Sequence, residues 1–215
     1  MSGSDSPDFG ANFRADLRTL LLWRRDVRRF RRDRLPDGTI ERLIGLAHLA
    51  PSVGLSQPWR FVLVETAARR AVLREVFAHC NAAALAGQAP ERARRYARLK
   101  LAGLDDAPCQ LAVFADRRTG QGHGLGRRTM AETLDYSAVI AAHTLWLAAR
   151  AEGLGMGWVS ILDPAAVRAA LDVPSTWRFI GYFCLGYPKS PDSVPELERA
   201  GWERRRPAED FLIRR

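Results

Sequence analysis

The chain has 215 residues, 47% of them hydrophobic and 27% charged, and a formal net charge of +9. That length suits one sizeable core and is short for two domains, and the composition excludes a disordered chain. The excess of positive charge raises nucleic acid as a partner. Against it, Lys100 and Lys189 are the only lysines, and the arginines run through the whole sequence instead of gathering in a tail. A GC-rich coding sequence gives the same bias, and no nucleic-acid partner is expected. Cys80, Cys109 and Cys184 are far apart, odd in number and never in CxxC spacing, which speaks for a reducing compartment and against a disulfide framework. His48, His79, His123 and His143 form no HxxxH or HxH pair, so no metal is expected. The opening "MSGSDSPDFGANF" is polar and loop-like, unlike a signal peptide. The most apolar segment, "SAVIAAHTLWLAARAEG", is too short and too interrupted to span a bilayer. The expectation is one cytoplasmic domain over residues 1–215, with 1–12 a flexible start.

In chain order, "ADLRTLLLWRR" reads as a short helix with Leu17, Leu20 and Leu21 on one face. "PDGTIERLIGLAHLA" carries Ile40, Leu43, Ile44 and Ala47 at helical spacing, and Pro51 stops it. After the loop "PSVGLSQP", the apolar, β-branched "WRFVLVE" predicts a buried strand. "AARRAVLREVFAHCNAAALA" and "PERARRYARLKLAG" read as helices, and "CQLAVFAD" as a second strand. The longest helix, "ETLDYSAVIAAHTLWLAARAEG", is apolar nearly all round in its middle and is expected to be buried, with Gly153 and Gly155 ending it. "MGWVSIL" is a strand, and "DPAAVRAALD" a short helix with Asp163 as its cap and Pro164 at its first position. "TWRFIGYFCLGYP" is the last strand. The tail "VPELERAGWERRRPAEDFLIRR" has no core pattern of its own and must lie against something else. Alternating strands and helices predict an α/β or α+β sandwich. A hydrophobic central helix beside arm-like segments is awkward for a monomer, and a dimer that buries the helix and exchanges the tail resolves it.

Two loops carry chemistry. "WRRDVRRF" surrounds Asp26 with Arg24, Arg25, Arg28 and Arg29. As a plain helix end it is a solvated basic cluster in which Asp26 pairs with Arg25 or Arg28. As a site it suits a phosphate monoester, which guanidinium groups bind through two parallel hydrogen bonds. Asp26 would be repelled by that phosphate, so it must face another part of the ligand, as acceptor for a donor group or a proton in transit. "APSVGLSQPW" makes a rigid turn in which Gly54 lets backbone approach a flat ligand, and Ser52 and Gln57 offer hydrogen bonds. Its alternative is an ordinary helix-to-strand connection. The glycines of "TGQGHGLGRR" alternate without the GxGxxG of a dinucleotide-binding turn and read as a mobile loop. His143, Trp146 and Trp158 read as core, and Ser160 as a strand serine bonding backbone.

Taken together, "RRDVRRF", "AHLAPSVGLSQPWRFVLV", "LKLAGLDDAP", "LDYSAVIAAHTLWLAARAEGLGMGWVSIL" and "GWERRRPAEDFL" resemble the flavin-dependent nitroreductases, in order from Leu21 to Leu212. More narrowly, "RRDVR" with "ARAEGLGMGWVSI" is similar to the flavin-fragmenting branch, the 5,6-dimethylbenzimidazole synthases. The resemblance implies an α+β fold, a three-layer α/β/α sandwich around a mixed central sheet. It implies an intertwined homodimer that exchanges a C-terminal arm, residues 190–215, with FMN at the subunit interface. Reduced FMN would be the substrate, broken with dioxygen into 5,6-dimethylbenzimidazole, the lower ligand of vitamin B12, and erythrose 4-phosphate. A separate NAD(P)H-dependent flavin reductase would supply it. Asp26 and Ser160 would be the catalytic pair. Arg24, Arg25 and Arg28 would serve the phosphate and the polar flavin edge, with Arg205 from the tail. Val27, Pro51, Ser52, Val53, Gly54, Gln57, Trp158 and Val159 would line the flavin, and residues 81–105, including Leu99, would close over it as a lid. The arginines are expected to keep Asp26 ionised. The rival readings are an FMN-dependent NAD(P)H nitroreductase or flavin reductase, a flavin-binding protein without catalysis, and a basic nucleic-acid-binding module.

Overall fold

The computed structural model describes residues 7–87, 91 and 103–215. Leu99 and most of the helix expected at "PERARRYARLKLAG" lie outside the described residues. Four strands, β1 (Trp59–Leu63), β2 (Cys109–Asp116), β3 (Gly155–Val159) and β4 (Trp177–Gly186), form one sheet in the order β1-β2-β4-β3. All three ladders are antiparallel, which corrects the expected mixed sheet. Consecutive strands β3 and β4 turn back on each other, and antiparallel neighbours need no crossover. Among the described residues the parallel pairing is a single bridge, Asp26 with Met156, made by chain outside the named strands.

Six consecutive residues of β2, Gln110 to Ala115, are buried, because helices cover both faces of the sheet. On one face, α2 (Thr39–Ala47) and α5 (Thr133–Ala151) set Leu43, Ala47, Leu145 and Trp146 on Leu111, Val113, Phe183 and Leu185. On the other, α3 (Ala67–Ala86) and α6 (Pro164–Leu171) set Leu73, Val167 and Leu171 on Ala112, Phe114, Tyr182 and Cys184. The alternating side chains of β2 and β4 thus feed two cores, which makes the three-layer α+β sandwich. Asp163 caps α6 as expected, accepting from the Ala166 N–H at 2.7 Å.

Two features depart from the sequence reading. The first helix, α1 (Ala11–Trp23), begins inside the stretch expected to be flexible. Residues 81–86 are the last turns of α3, whose bounds are those the sequence predicts. Helix α5 is not buried all round: Tyr136, Val139, Ile140 and His143 form an exposed stripe opposite the sheet. His143 is therefore a surface residue of the single chain and not a core histidine. One face of a helix suffices to cover the sheet, and the i, i+3, i+4, i+7 set on the other side is left outside. The arm includes one short helix, α7 (Glu196–Arg199), and ends with Phe211, Leu212 and Ile213 exposed.

A buried polar relay fixes the short helix α4 (Gly103–Asp106) to the sheet. Tyr182 Oη donates to Gln110 Oε1 at 2.7 Å, and Gln110 Nε2 donates to the Leu104 carbonyl at 2.9 Å. Burial pushes the Tyr182 phenol well above its ordinary range, so it stays a donor. Tyr182→Phe removes that donor and leaves a buried amide oxygen unpaired, at a cost of about 1–3 kcal/mol. Urea denaturation of the parent and the variant measures it.

Candidate active site

Helix α1 ends when Arg24 turns to extended backbone, and the following residues lie along β3. The Val27 N–H donates to the Met156 carbonyl at 3.1 Å. Asp26 Oδ1 accepts from the Trp158 N–H at 2.8 Å, and Oδ2 stands 3.5 Å from Arg28 Nε. The other guanidinium groups are directed elsewhere. Arg24 lies over the Trp146 ring, 4.9 Å from its centroid. Arg25 donates to the carbonyls of Ser193, at 2.6 Å, and Arg24, at 2.7 Å.

Burial decides the electrostatics of Asp26. Burial pushes the Asp26 carboxyl above its ordinary range, against the Trp158 amide and Arg28, which pull it down; Glu196 adds to the upward push. Of the arginines only Arg28 bonds to it, at 3.5 Å, and that does not offset the burial. A carboxylate raised in this way is a stronger base. Burial lowers the pKa of Arg24 and Arg25, and the Arg205 charge lowers both further. Arg205 thus joins the cluster from the arm. Arg24 and Arg25, repelled by each other and by the Arg205 charge, border a cavity of about 210 Å³ whose lining also includes Asp26, Arg28, Trp146, Asp192 and Glu196, and its arginine end suits an anion. Ser160 follows the last residue of β3 and is exposed. It lies two residues past Trp158, just beyond the end of the strand. Val159 faces the other way, into the core beside Tyr182, and offers the site main chain only.

A second cluster sits elsewhere. Gly54, Leu55 and Gln57 have φ of +57°, +54° and +42°, strained for the two residues that carry side chains. The loop is held by the Val53 N–H donating to Ser137 Oγ at 3.1 Å and the Gln57 N–H donating to Ser52 Oγ at 3.1 Å. The Gln57 side chain is taken up by Gln121, at 2.7 Å, and His48, at 3.1 Å. The glycine-rich loop expected to be mobile is packed against it. A Cβ on Gly54 would stand 2.9 Å from the Leu125 carbonyl oxygen, and one on Gly122 would stand 2.5 Å from that of Gly54. Its glycines serve a backbone-to-backbone contact, which looks like looseness in sequence.

The two clusters lie toward opposite ends of α5. Ser137, in its first turns, holds the loop; Trp146, nine residues on, sits under Arg24 and donates its indole N–H to the Arg25 carbonyl at 3.3 Å. Nine residues of helix rise about 13–14 Å. One chain therefore gathers Arg24, Arg25, Asp26, Val27 and Arg28 at one cavity, with the Trp158 N–H on Asp26 and the Arg205 charge acting on the arginines, and separately Pro51, Ser52, Val53, Gly54 and Gln57. The sequence reading missed the second role of Trp146, because a tryptophan on an apolar helix carries no mark of what its edge touches.

The model of the Nitroreductase family matches residues 21–187. The chain belongs to the nitroreductase family. Across 201 residues it is 60% identical to a 5,6-dimethylbenzimidazole synthase of Rhodospirillum rubrum, covering 94% of this chain and 95% of that protein. It is 48% identical to another of that name from Rhodobacter capsulatus, covering 94% and 98%. Oxidized iodotyrosine deiodinase, solved with FMN and 3-iodo-L-tyrosine, shares the nitroreductase fold at a TM-score of 0.69 and 24% identity, over 82% of this chain and 91% of that one. No helix among the described residues is long and apolar enough to cross a membrane.

Asp26 also marks a conflict with stability. A carboxyl whose pKa is higher folded than unfolded binds more protons when folded, so its contribution to stability falls as pH rises between the two values. Asp26→Asn removes this penalty. The variant is more stable than its parent at neutral pH, and the difference fades as pH drops below the ordinary carboxyl value of 3.8. Denaturant titrations of both proteins at the two pH values measure it.

Proposed function

We propose that the protein fragments reduced FMN with dioxygen to 5,6-dimethylbenzimidazole, the lower ligand of vitamin B12, and erythrose 4-phosphate. The observation that carries the proposal is a carboxyl of raised pKa, held by a main-chain N–H beside a cluster of arginines with charge to spare. A hydride-shuttling flavin reductase has no need of a strong proton acceptor there. The synthase relatives, alignable over nearly the whole chain, support the same reading.

The residues fit the ligand. Arg24, Arg25 and Arg205 supply a cationic end for its phosphate, and the loop over residues 51–57 would meet the flat ring. Bound reduced flavin supplies the electrons that dioxygen takes up. Asp26 takes a proton from the ligand, and Ser160, just beyond the end of β3, supplies a hydroxyl. Arg28 steadies Asp26 once it is ionised. Four of the five ribityl carbons leave in erythrose 4-phosphate, so the remaining carbon must stay in the new ring, which is where a placed base is needed.

A homodimer completes the site. The cavity beside Asp26, at about 210 Å³, is smaller than the roughly 300–1,000 Å³ of pockets that enclose a cofactor. The loop at Gly54 lies at the far end of α5. A second copy packed on the exposed stripe of α5, running the opposite way, would bring its own loop to the arginines. Exchange of the arm would cover Phe211, Leu212 and Ile213, which one chain leaves in solvent. A separate NAD(P)H-dependent flavin reductase would deliver reduced FMN, in the cytoplasm.

Two variants test the chemistry, with product and recovered FMN read by chromatography. Asp26→Asn binds reduced FMN within a few-fold of the parent but loses product formation by roughly 10²–10⁴-fold. Ser160→Gly consumes oxygen and returns intact FMN. Normal product yield from Asp26→Asn removes that residue from the mechanism.

A further inference from the structure

Asp26 reaches the Trp158 N–H because the main chain around it rests directly on β3. That approach depends on two residues of the strand. A Cβ on Gly155 would stand 2.6 Å from Val27 Cγ2, and one on Gly157 would overlap the Val27 carbonyl oxygen. Neither glycine has a left-handed φ, so no turn calls for them. Glycine inside a strand weakens it and marks a close approach of other backbone, and here the approaching backbone is that of the segment carrying Asp26.

We infer that Gly155 and Gly157 are positioning residues for Asp26: their missing side chains set how closely the segment Asp26–Arg28 lies on β3, and so bring its carboxylate to the Trp158 N–H. The consequence for rate rests on the reaction proposed above; the geometric claim stands without it. The two glycines act differently. Gly155 faces the side chain of Val27, which can be trimmed. Gly157 faces its main chain, which cannot. Trimming Val27 therefore makes room for a methyl group at 155 and none at 157.

The charged groups that act on Asp26 are Arg28 from its own segment and Glu196 from the arm; Asp26 in turn acts on Arg24 and on the buried Cys184 thiol of β4. The hydrogen bond from the Trp158 N–H is the largest single contribution that favours the ionised form, and Arg28 adds to it. Pulling the carboxylate off it raises the titration midpoint of Asp26 further. Carbon-13 NMR of the aspartate carboxyls in the flavin-free protein, with Asp26→Asn identifying the signal, reads that midpoint independently of catalysis.

Gly157→Ala is expected to raise the midpoint and to cut product formation at least about tenfold, within the roughly 10²–10⁴-fold that a placed base contributes, with or without Val27→Ala. Gly155→Ala shifts both readouts the same way in the parent and adds nothing further in the Val27→Ala background. An unmoved midpoint in Gly157→Ala overturns the inference, as does a Val27→Ala background that relieves both alanines or neither. If Gly157→Ala does not fold, the Gly155→Ala comparison decides alone. Should the parent form no product, the proposed reaction fails while the titration still decides the positioning role.

Discussion

The contact between the Asp26 carboxylate and the Trp158 N–H holds the candidate site together. It joins the exit of α1 to the edge strand β3, and it fixes where the arginines on either side of Asp26 begin. With the Asp26 segment seated, Arg24 falls over Trp146 and Arg25 reaches the Ser193 carbonyl at the start of the arm. Phe30, fully buried a few residues on, locks the segment into the core. A single strand edge thus organises helix, arm and site.

Electrostatics then sorts the charged groups into two roles. Arg24, Arg25 and Arg205 repel one another, an arrangement that costs stability in the free protein and is relieved by a bound anion. Asp26 is desolvated beyond what Arg28 and one amide compensate. Both features favour the ligand-free fold less than neutral residues would, which is characteristic of sites that hold charge ready for a reaction. The two cores on either side of the sheet supply the stability that permits it.

Much of the fold was legible from the chain. The largely apolar "CQLAVFAD" and the helical pattern from Ala67 to Ala86 match β2 and α3 end to end, and Asp163 with Pro164 marked the start of α6. Strand pairing was not legible, because it is a long-range property: nothing local in the sequence says that β3 runs against β4. His143 looked like core because sequence gives the apolarity of a helix without saying how many faces its own chain covers. The glycines at 122 and 124 looked like slack, although the first closes on the backbone of Gly54. Asp26 and its arginines were found from local charge and from a family resemblance. The direction of its pKa depends on burial and on which guanidinium groups turn away, and neither is visible in "RRDVRR".

The most direct measurement is an aerobic incubation of the purified protein with excess FMN, NADPH and an independent flavin reductase, followed by chromatography for 5,6-dimethylbenzimidazole. The account requires a product that scales with the protein and vanishes when FMN is withheld. If the flavin returns intact, while the protein itself oxidises NADPH with FMN bound, the protein is a flavin-dependent reductase and the proposed role of Asp26 is wrong.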